Sequence, residues 1–209
     1  VTSFDARATF LDAHTLDVGG KRVTAERIII AVGGTASRLD IPGAELGLIS
    51  DDIFTLKALP KRVAVLGAGY IAVEFACILK GLGAEVTLVH RAPLPLRGFD
   101  EDIRSAAAEA LVAQGITCRA DVSPTRIEAQ GAARLLHLSD GSAAEFDAVF
   151  FCTGRAPATK GLGLEKAGVA VNAAGAIVVN EDHATSQPHI FAIGDVLDRV
   201  NLTPMATAV

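Results

Sequence analysis

The chain has 209 residues, half of them hydrophobic, and carries 24 acidic against 19 basic residues for a net charge of -5. That composition can bury a real core, and it gives no electrostatic reason to expect nucleic acid or an anionic membrane as partner. Its longest apolar runs, such as Ile28-Ile29-Ile30-Ala31-Val32, fall far short of the roughly 20 residues a bilayer crossing requires.

The first segment alternates short β-like runs with turns. Arg7 to Leu11 and Thr15 to Val18 precede the turn Gly19-Gly20, and Arg22 to Ala25 and Arg27 to Val32 follow it. Gly33-Gly34 closes the last run. Residues 35–60 read as connecting structure, with Ile41-Pro42-Gly43 as a turn and Leu59-Pro60 as a stop.

From Lys61 the period changes. Val63-Ala64-Val65-Leu66 is continuously apolar, as a strand covered on both faces should be. Tyr70 to Lys80 is helical in pattern, with Ile71, Phe75, Ile78 and Leu79 on one stripe, and Gly81 or Gly83 can end it. Glu85 to His90 is a second strand, which completes a βαβ unit. Asp100 is a candidate N-cap for a helix carrying Ile103, Ala106, Ala107, Ala110 and Leu111, stopped by Gly115. Ile116 to Arg119 is a third strand. Thr125 to Ala129 and Leu135 to Leu138 read as antiparallel, Asp140-Gly141 as a turn, and Phe146 to Cys152 as a buried returning strand. Ala176 to Val179 and Ile190 to Ile193 are the last strands, and Thr203 to Ala208 reads as the first turn of a helix.

The strongest chemical motif is Gly67-Ala68-Gly69-Tyr70-Ile71-Ala72, a GxGxxA between strand and helix. Gly67 permits the tight turn, Gly69 lets backbone amides approach a pyrophosphate, and Ala72 lets the helix pack close on the strand. The helix N-terminus, with Ile71 in its first turn, adds partial positive charge beneath the phosphates. At the end of the second strand an NAD site usually carries a carboxylate for the ribose 2′-hydroxyl. Here His90 stands there, followed by Arg91 and, across two prolines, Arg97. Two guanidiniums suit a 2′-phosphate, because arginine binds phosphate oxygens as a fork. The bland alternative, two solvated surface arginines, loses ground because the carboxylate is missing.

Three scattered cysteines, Cys77, Cys118 and Cys152, make no CxxC or CxxxxC pair. They read as small buried hydrophobes rather than a disulfide framework or a metal site. The chain starts at Val1 without an initiator Met, and the expectation is a piece of a longer, soluble, cytoplasmic polypeptide.

Val63 to Asp100, VAVLGAGYIAVEFACILKGLGAEVTLVHRAPLPLRGFD, closely resembles the class I pyridine nucleotide-disulfide oxidoreductases of the glutathione reductase type. Ile28 to Gly34, Phe150 to Pro157 and Thr185 to Asp195 extend the likeness over nearly the whole chain. The resemblance implies an α/β fold, a Rossmann-like NADPH-binding domain (a parallel sheet with a β-meander) inserted in a partial FAD-binding domain. The expected boundaries are residues 1–33 for the tail of the FAD domain, 34–156 for the NADPH domain and 157–209 for the returning FAD segment. It places Gly67, Gly69 and Ala72 on the pyrophosphate turn and Arg91 and Arg97 on the 2′-phosphate. Tyr70 becomes the aromatic gate over the flavin, and Glu74, one turn later, the carboxylate near the nicotinamide carboxamide. Gly194 and Asp195 fall on the flavin ribityl motif and Thr203 beside the flavin pyrimidine edge, with Gly33, Gly154 and Arg155 as weaker FAD contacts. A carboxylate at Glu74, between Val73 and Phe75, is expected to need a partner. Val32 departs from the threonine common at its position, and His90 from an aromatic. No catalytic residue of the disulfide half-reaction falls within the chain. The implied activity is electron transfer from NADPH through FAD and a redox disulfide to oxidised glutathione, in a homodimer. Another member of the family (a dihydrolipoamide dehydrogenase, or a trypanothione, thioredoxin or mercuric reductase), and an inactive nucleotide-binding piece, are the alternatives.

Overall fold

The structure is a computed structural model and describes residues 1–202, Pro204 and Ala206. The chain folds as two units, Val1–Thr35 with Arg155–Val209, and Ala36–Gly154. The α/β, Rossmann-like fold expected from the sequence is the one observed.

In chain order, β1 (Ala8–Phe10), β2 (Thr15–Val18) and β3 (Lys21–Thr24) form an antiparallel sheet of three strands. β4 (Ile28–Ile30) and β5 (Gly34–Ala36) follow. The second unit contributes β6 (Leu48–Ile49), β7 (Arg62–Leu66), α1 (Tyr70–Gly81), β8 (Glu85–Val89), α2 (Glu101–Ala113) and β9 (Thr117–Arg119). A meander of β10 (Pro124–Gln130), β11 (Ala133–Leu138) and β12 (Ala143–Phe146) then leads into β13 (Ala148–Phe151). The chain ends with β14 (Arg155–Pro157), the short α3 (Leu164–Ala167) and β15 (Ile190–Ala192).

The second unit is built on a parallel sheet in the order β6-β13-β7-β8-β9. Side chains alternate across a strand, and in β7 both faces are buried. Val63 and Val65 join the helices' cluster with Ala72, Ala76, Leu79 and Leu111, while Ala64 and Leu66 join the meander's cluster with Ile127, Leu136 and Phe146. Phe150 and Phe151 of β13 divide in the same way. The apolar run at 63–66 was legible because neither face of this strand meets water.

Both helices turn differently from the sequence stripes. On α1 only Leu79 of the expected stripe is fully buried. Ala72 and Ala76 complete the inner face, and Ile78 is 51% exposed. Small alanines let the helix lie close on the sheet, while Ile71 and Phe75 are partly buried against the same cluster and Phe75 also meets Phe54 edge-on. On α2, Ile103 is exposed and the inner line runs through Arg104, Ala107, Ala108 and Leu111. Asp100 caps this helix as expected, accepting from Asp102 N at 3.0 Å.

The expected single strand from Phe146 to Cys152 is two. Phe146 pairs with Arg134 in the meander, and Ala148 pairs with Val63 in the parallel sheet. Asp147 is the joint: its carboxylate accepts Arg62 N at 2.9 Å and its own amide donates to Arg62 O at 2.8 Å. Ala176 to Val179 forms no strand, only an isolated bridge from Ile177 to Val171. There the side-chain oxygen of Asn172 accepts from Ala174 N and Ala176 N in a local turn, and Ile177 N and Val178 N donate to Val196 O and Ala170 O, so the amides go to different partners rather than to one ladder.

In the first unit, β4 and β15 form a two-stranded parallel pair with Ile28, Ile29 and Ile30 opposite Ile190, Phe191 and Ala192. Phe10, Leu164, Ile177 and Val196 fill its core. β14 pairs with β5. No helix among the described residues is long and apolar enough to cross a membrane, and no group of three metal-ligating side chains occurs among them.

Candidate functional site

The glycine turn follows β7. Gly67 takes φ 121°, a region that L side chains rarely adopt, and a Cβ there would run into the Cys152 carbonyl oxygen. Its amide donates to Val89 O at 2.9 Å, so the turn is stitched to the end of β8. Gly69 is the N-cap of α1 and has no atom within 4 Å of where a Cβ would stand. Gly67 is therefore required by the fold, whereas nothing in the fold requires Gly69. Its missing side chain leaves the helix N-terminus, where unpaired amides and the helix dipole favour an anion, open to approach. Ala72 is fully buried against the sheet, and Ile71 is partly buried in the first turn.

Tyr70 is 40% exposed and Glu74, four residues on, is also exposed. Residues at i and i+4 share a helix face. Glu74 thus lies in water and needs no internal partner, contrary to the expectation drawn from its apolar neighbours. Those neighbours pack to the sides of α1, and Glu74 points away from the sheet.

The arginine loop between β8 and α2 is fastened at three points. His90, 6% exposed, has Nδ1 2.6 Å from Ala92 O, so Nδ1 carries a proton and donates to that carbonyl. Arg104 of α2 donates from Nε to Pro95 O at 2.8 Å and from a terminal nitrogen to Leu94 O at 3.1 Å. Leu96 N donates to Ala68 O at 2.7 Å, which binds the loop directly to the glycine turn. Leu96 makes this contact with φ 53°, an uncommon conformation for a bulky residue and one that carries strain. Arg91 and Arg97 are exposed, and among the described residues neither guanidinium has a hydrogen bond or an ion pair. Two unpartnered cations thus stand on a fixed loop joined to an open helix N-terminus.

His90, Leu96 and Arg104 are residues that sequence reasoning missed as parts of the site. For His90 the signal is structural, and for Arg104 one existed in the sequence. His90 and Ser50 are the buried polar side chains among the described residues, and buried polar groups have partners. Arg104 is a cation near the positive end of its helix dipole, a placement that calls for a specific partner.

In the first unit, Gly33, Gly34, Arg155, Gly194 and Asp195 come together beyond β4 and β15. Gly33 takes φ 68° with open space around it, and Gly194 takes φ 76°. Asp195 is half-buried, and its carboxylate has no hydrogen-bond partner among the described residues, an arrangement that fits a hydroxyl donor. Arg155 donates to Gly34 O and so serves the local backbone. Gly154, at φ 127°, belongs to the second unit, where its carbonyl accepts Ser37 N at 2.9 Å. Thr203 lies outside the described residues. Cys152 is buried, and burial pushes its thiol up to about 12, so it is no nucleophile. Cys77 and Cys118 are also raised by burial.

The model of the pyridine nucleotide-disulphide oxidoreductases matches residues 1–209. The chain belongs to that family. A glutathione reductase of Nostoc sp. is 44% identical to this chain over 99% of it and 48% of the relative. The chloroplastic/mitochondrial glutathione reductase of Pisum sativum is 44% identical over 99% of this chain and 38% of the relative. The thioredoxin reductase SEP1 of Emiliania huxleyi is 41% identical over 98% and 43%. Among solved structures, the HOCl-induced flavoprotein disulfide reductase RclA from Escherichia coli superposes with a TM-score of 0.92 at 33% identity, covering 97% of this chain and 47% of that one. The chain spans about half the length of these relatives, 48% of the first.

Proposed function

We propose that the protein containing this chain is an NADPH-dependent flavoprotein of the glutathione reductase type. It passes electrons from NADPH through FAD and a redox disulfide to oxidised glutathione, as a homodimer in the cytoplasm. Residues 34–156 are the NADPH domain, and 1–33 with 157–209 belong to the FAD domain. The observation that carries this reading is the pair of unpartnered guanidiniums, Arg91 and Arg97, on a loop bonded to the glycine turn.

In this reading Gly67, Gly69 and Ala72 let the first turn of α1, with Ile71, hold the pyrophosphate, and Arg91 and Arg97 hold the 2′-phosphate as forks. Tyr70 and Glu74 line the nicotinamide end. Asp195 accepts from a flavin hydroxyl, Gly194 and Gly33 admit the cofactor closely, and Thr203, Gly154 and Arg155 contribute at its margins. The flavin supplies the two-electron chemistry between nicotinamide and disulfide. The chain's own residues bind, orient and exclude water. The 41% identity to a thioredoxin reductase supports a second reading, in which a protein disulfide replaces glutathione.

The test is turnover of oxidised glutathione by the full-length protein, with NADPH and NADH in parallel. Arg91→Ala and Arg97→Ala should each raise the KM for NADPH about 10- to 100-fold, the loss of a charge-assisted hydrogen bond of ~1.5–3 kcal/mol, and leave the KM for NADH nearly unchanged. Equal use of both nucleotides by the unaltered protein would remove the NADPH assignment. Activity on thioredoxin but not on glutathione would select the second reading.

A further inference from the structure

Arg104 lies on α2, outside the glycine motif and outside the loop that carries Arg91 and Arg97. Yet its guanidinium grips two consecutive carbonyls of that loop, Pro95 O at 2.8 Å and Leu94 O at 3.1 Å. The residues between the two arginines offer few other anchors. Pro93 and Pro95 have no amide to donate, and among the described residues Leu94 is held by the hydrogen bond its carbonyl accepts from Arg104. Ahead of this stretch the loop is held by His90 on Ala92 O, and after it by Leu96 N on Ala68 O. Arg104 thus supplies the middle of the three attachments.

Its own anchorage is firm. Helix α2 is capped by Asp100, and Leu111, on the same inner line as Arg104, is buried in the sheet's helical cluster. A loop that must order itself on binding loses affinity, because each fixed backbone residue costs conformational entropy. A loop already ordered by the protein does not.

We propose that Arg104 is a positioning residue for nucleotide selectivity: by tying Leu94 and Pro95 to α2 it holds Arg91 and Arg97 ready for a 2′-phosphate. The proposal rests on the reading that these two arginines receive that phosphate. Arg104 acts through them; the pyrophosphate turn shares the Leu96 N to Ala68 O bond with the loop but keeps its own fastening through Gly67 N on Val89 O.

Equilibrium binding of 2′,5′-ADP and of ADP, which lacks the 2′-phosphate, is measured calorimetrically on the full-length protein and its variants. Arg104→Ala should weaken 2′,5′-ADP about tenfold, or ~1.4 kcal/mol, and change ADP by less than about twofold. Arg104→Lys, which keeps the charge but offers no fork, should fall between the two. Arg104→Gln, neutral but able to donate one bond, should do no worse than Arg104→Lys. In a background of Arg91→Ala with Arg97→Ala, Arg104→Ala should have no further effect, because coupled residues are not additive. Circular dichroism melts establish that each variant is folded, and the Lys and Gln variants carry the test if the Ala variant is not.

Equal weakening of both ligands, or no change in either, overturns the proposal. So does an additive loss in the double background, which would make Arg104 a direct source of charge. If Arg91→Ala with Arg97→Ala binds 2′,5′-ADP as well as the unaltered protein does, the functional reading itself falls, and the proposal with it.

Discussion

Two parallel ladders in this chain end in glycine turns, and they differ in what surrounds them. β7 sits inside a five-stranded sheet with β13 and β8 as neighbours, and its turn glycine, Gly67, is closed over by the Cys152 carbonyl. Among the described residues of this chain β4 pairs with β15, Ile29 is 64% exposed, and Gly33 beyond it meets open space. The same local device, strand then glycine, is a structural necessity in one unit and a free approach in the other. Positive φ by itself does not tell which, since both glycines have it. The neighbouring strand decides.

The largest expected effect tests whether the closed ladder dominates stability. Phe150, fully buried in β13, should cost about 3–5 kcal/mol when truncated to Ala, whereas Ile29→Ser on the open pair should stay within about 0.5 kcal/mol. Chemical denaturation followed by circular dichroism reads both. Comparable losses would mean that the open pair is as tightly built as the closed sheet.

Next in size is the contrast between the two glycines of the turn itself. Gly67→Ala should destabilise by roughly 2–3 kcal/mol, from strained backbone and collision with Cys152 O. Gly69→Ala, with φ −73° and open space, should leave stability within about 0.5 kcal/mol and weaken 2′,5′-ADP instead. A stable Gly67→Ala variant would break the distinction between a glycine the fold needs and one the ligand needs.

The last effect shows only away from neutral pH. Cys152, directly behind the turn, has its thiol raised by burial to about 12 from an ordinary 9.0. The folded state keeps a proton that the unfolded chain gives up, so this group's contribution to stability is complete below pH 9 and is lost as pH rises towards 12. Cys152→Ala should flatten the alkaline arm of a stability–pH curve and leave the curve below pH 9 parallel. At the acid end, Asp147 is held below its ordinary value, first by the Arg62 amide and then by the Arg62 side chain. Its contribution is present above pH 3.8 and fades as pH falls below it.

The βαβ unit was legible because its signals are local and agree: an apolar run, a GxGxxA turn, a helical period and a second apolar run. Asp100 as a cap was legible for the same reason. The helix faces were not. Counting large apolar residues chose Ile78 and Ile103, but close approach of helix to sheet favours Ala72, Ala76 and Ala108, and small residues carry little weight in a hydrophobic stripe. Asp147 as a joint was hidden because Phe146 and Ala148 are both apolar and their different partners are remote in sequence. The expected strand at 176–179 is not formed because its amides are divided among the Asn172 side chain, Val196 O and Ala170 O, partners that a β-propensity count does not weigh.

For the candidate site, the sequence by itself singled out the residues proposed to carry the chemistry: two glycines, a small alanine, two arginines without a neighbouring carboxylate, and a Gly-Asp after an apolar strand. These are chemical identities, and they need no coordinates. Only the tertiary structure decided what holds them. Arg104 reaches back to Leu94 and Pro95, Leu96 bonds Ala68, His90 turns inward to Ala92, and Glu74 faces water. Such contacts depend on where α2 and the loop lie in space, and a hydrogen bond between a side chain and a backbone carbonyl leaves no periodic trace in sequence.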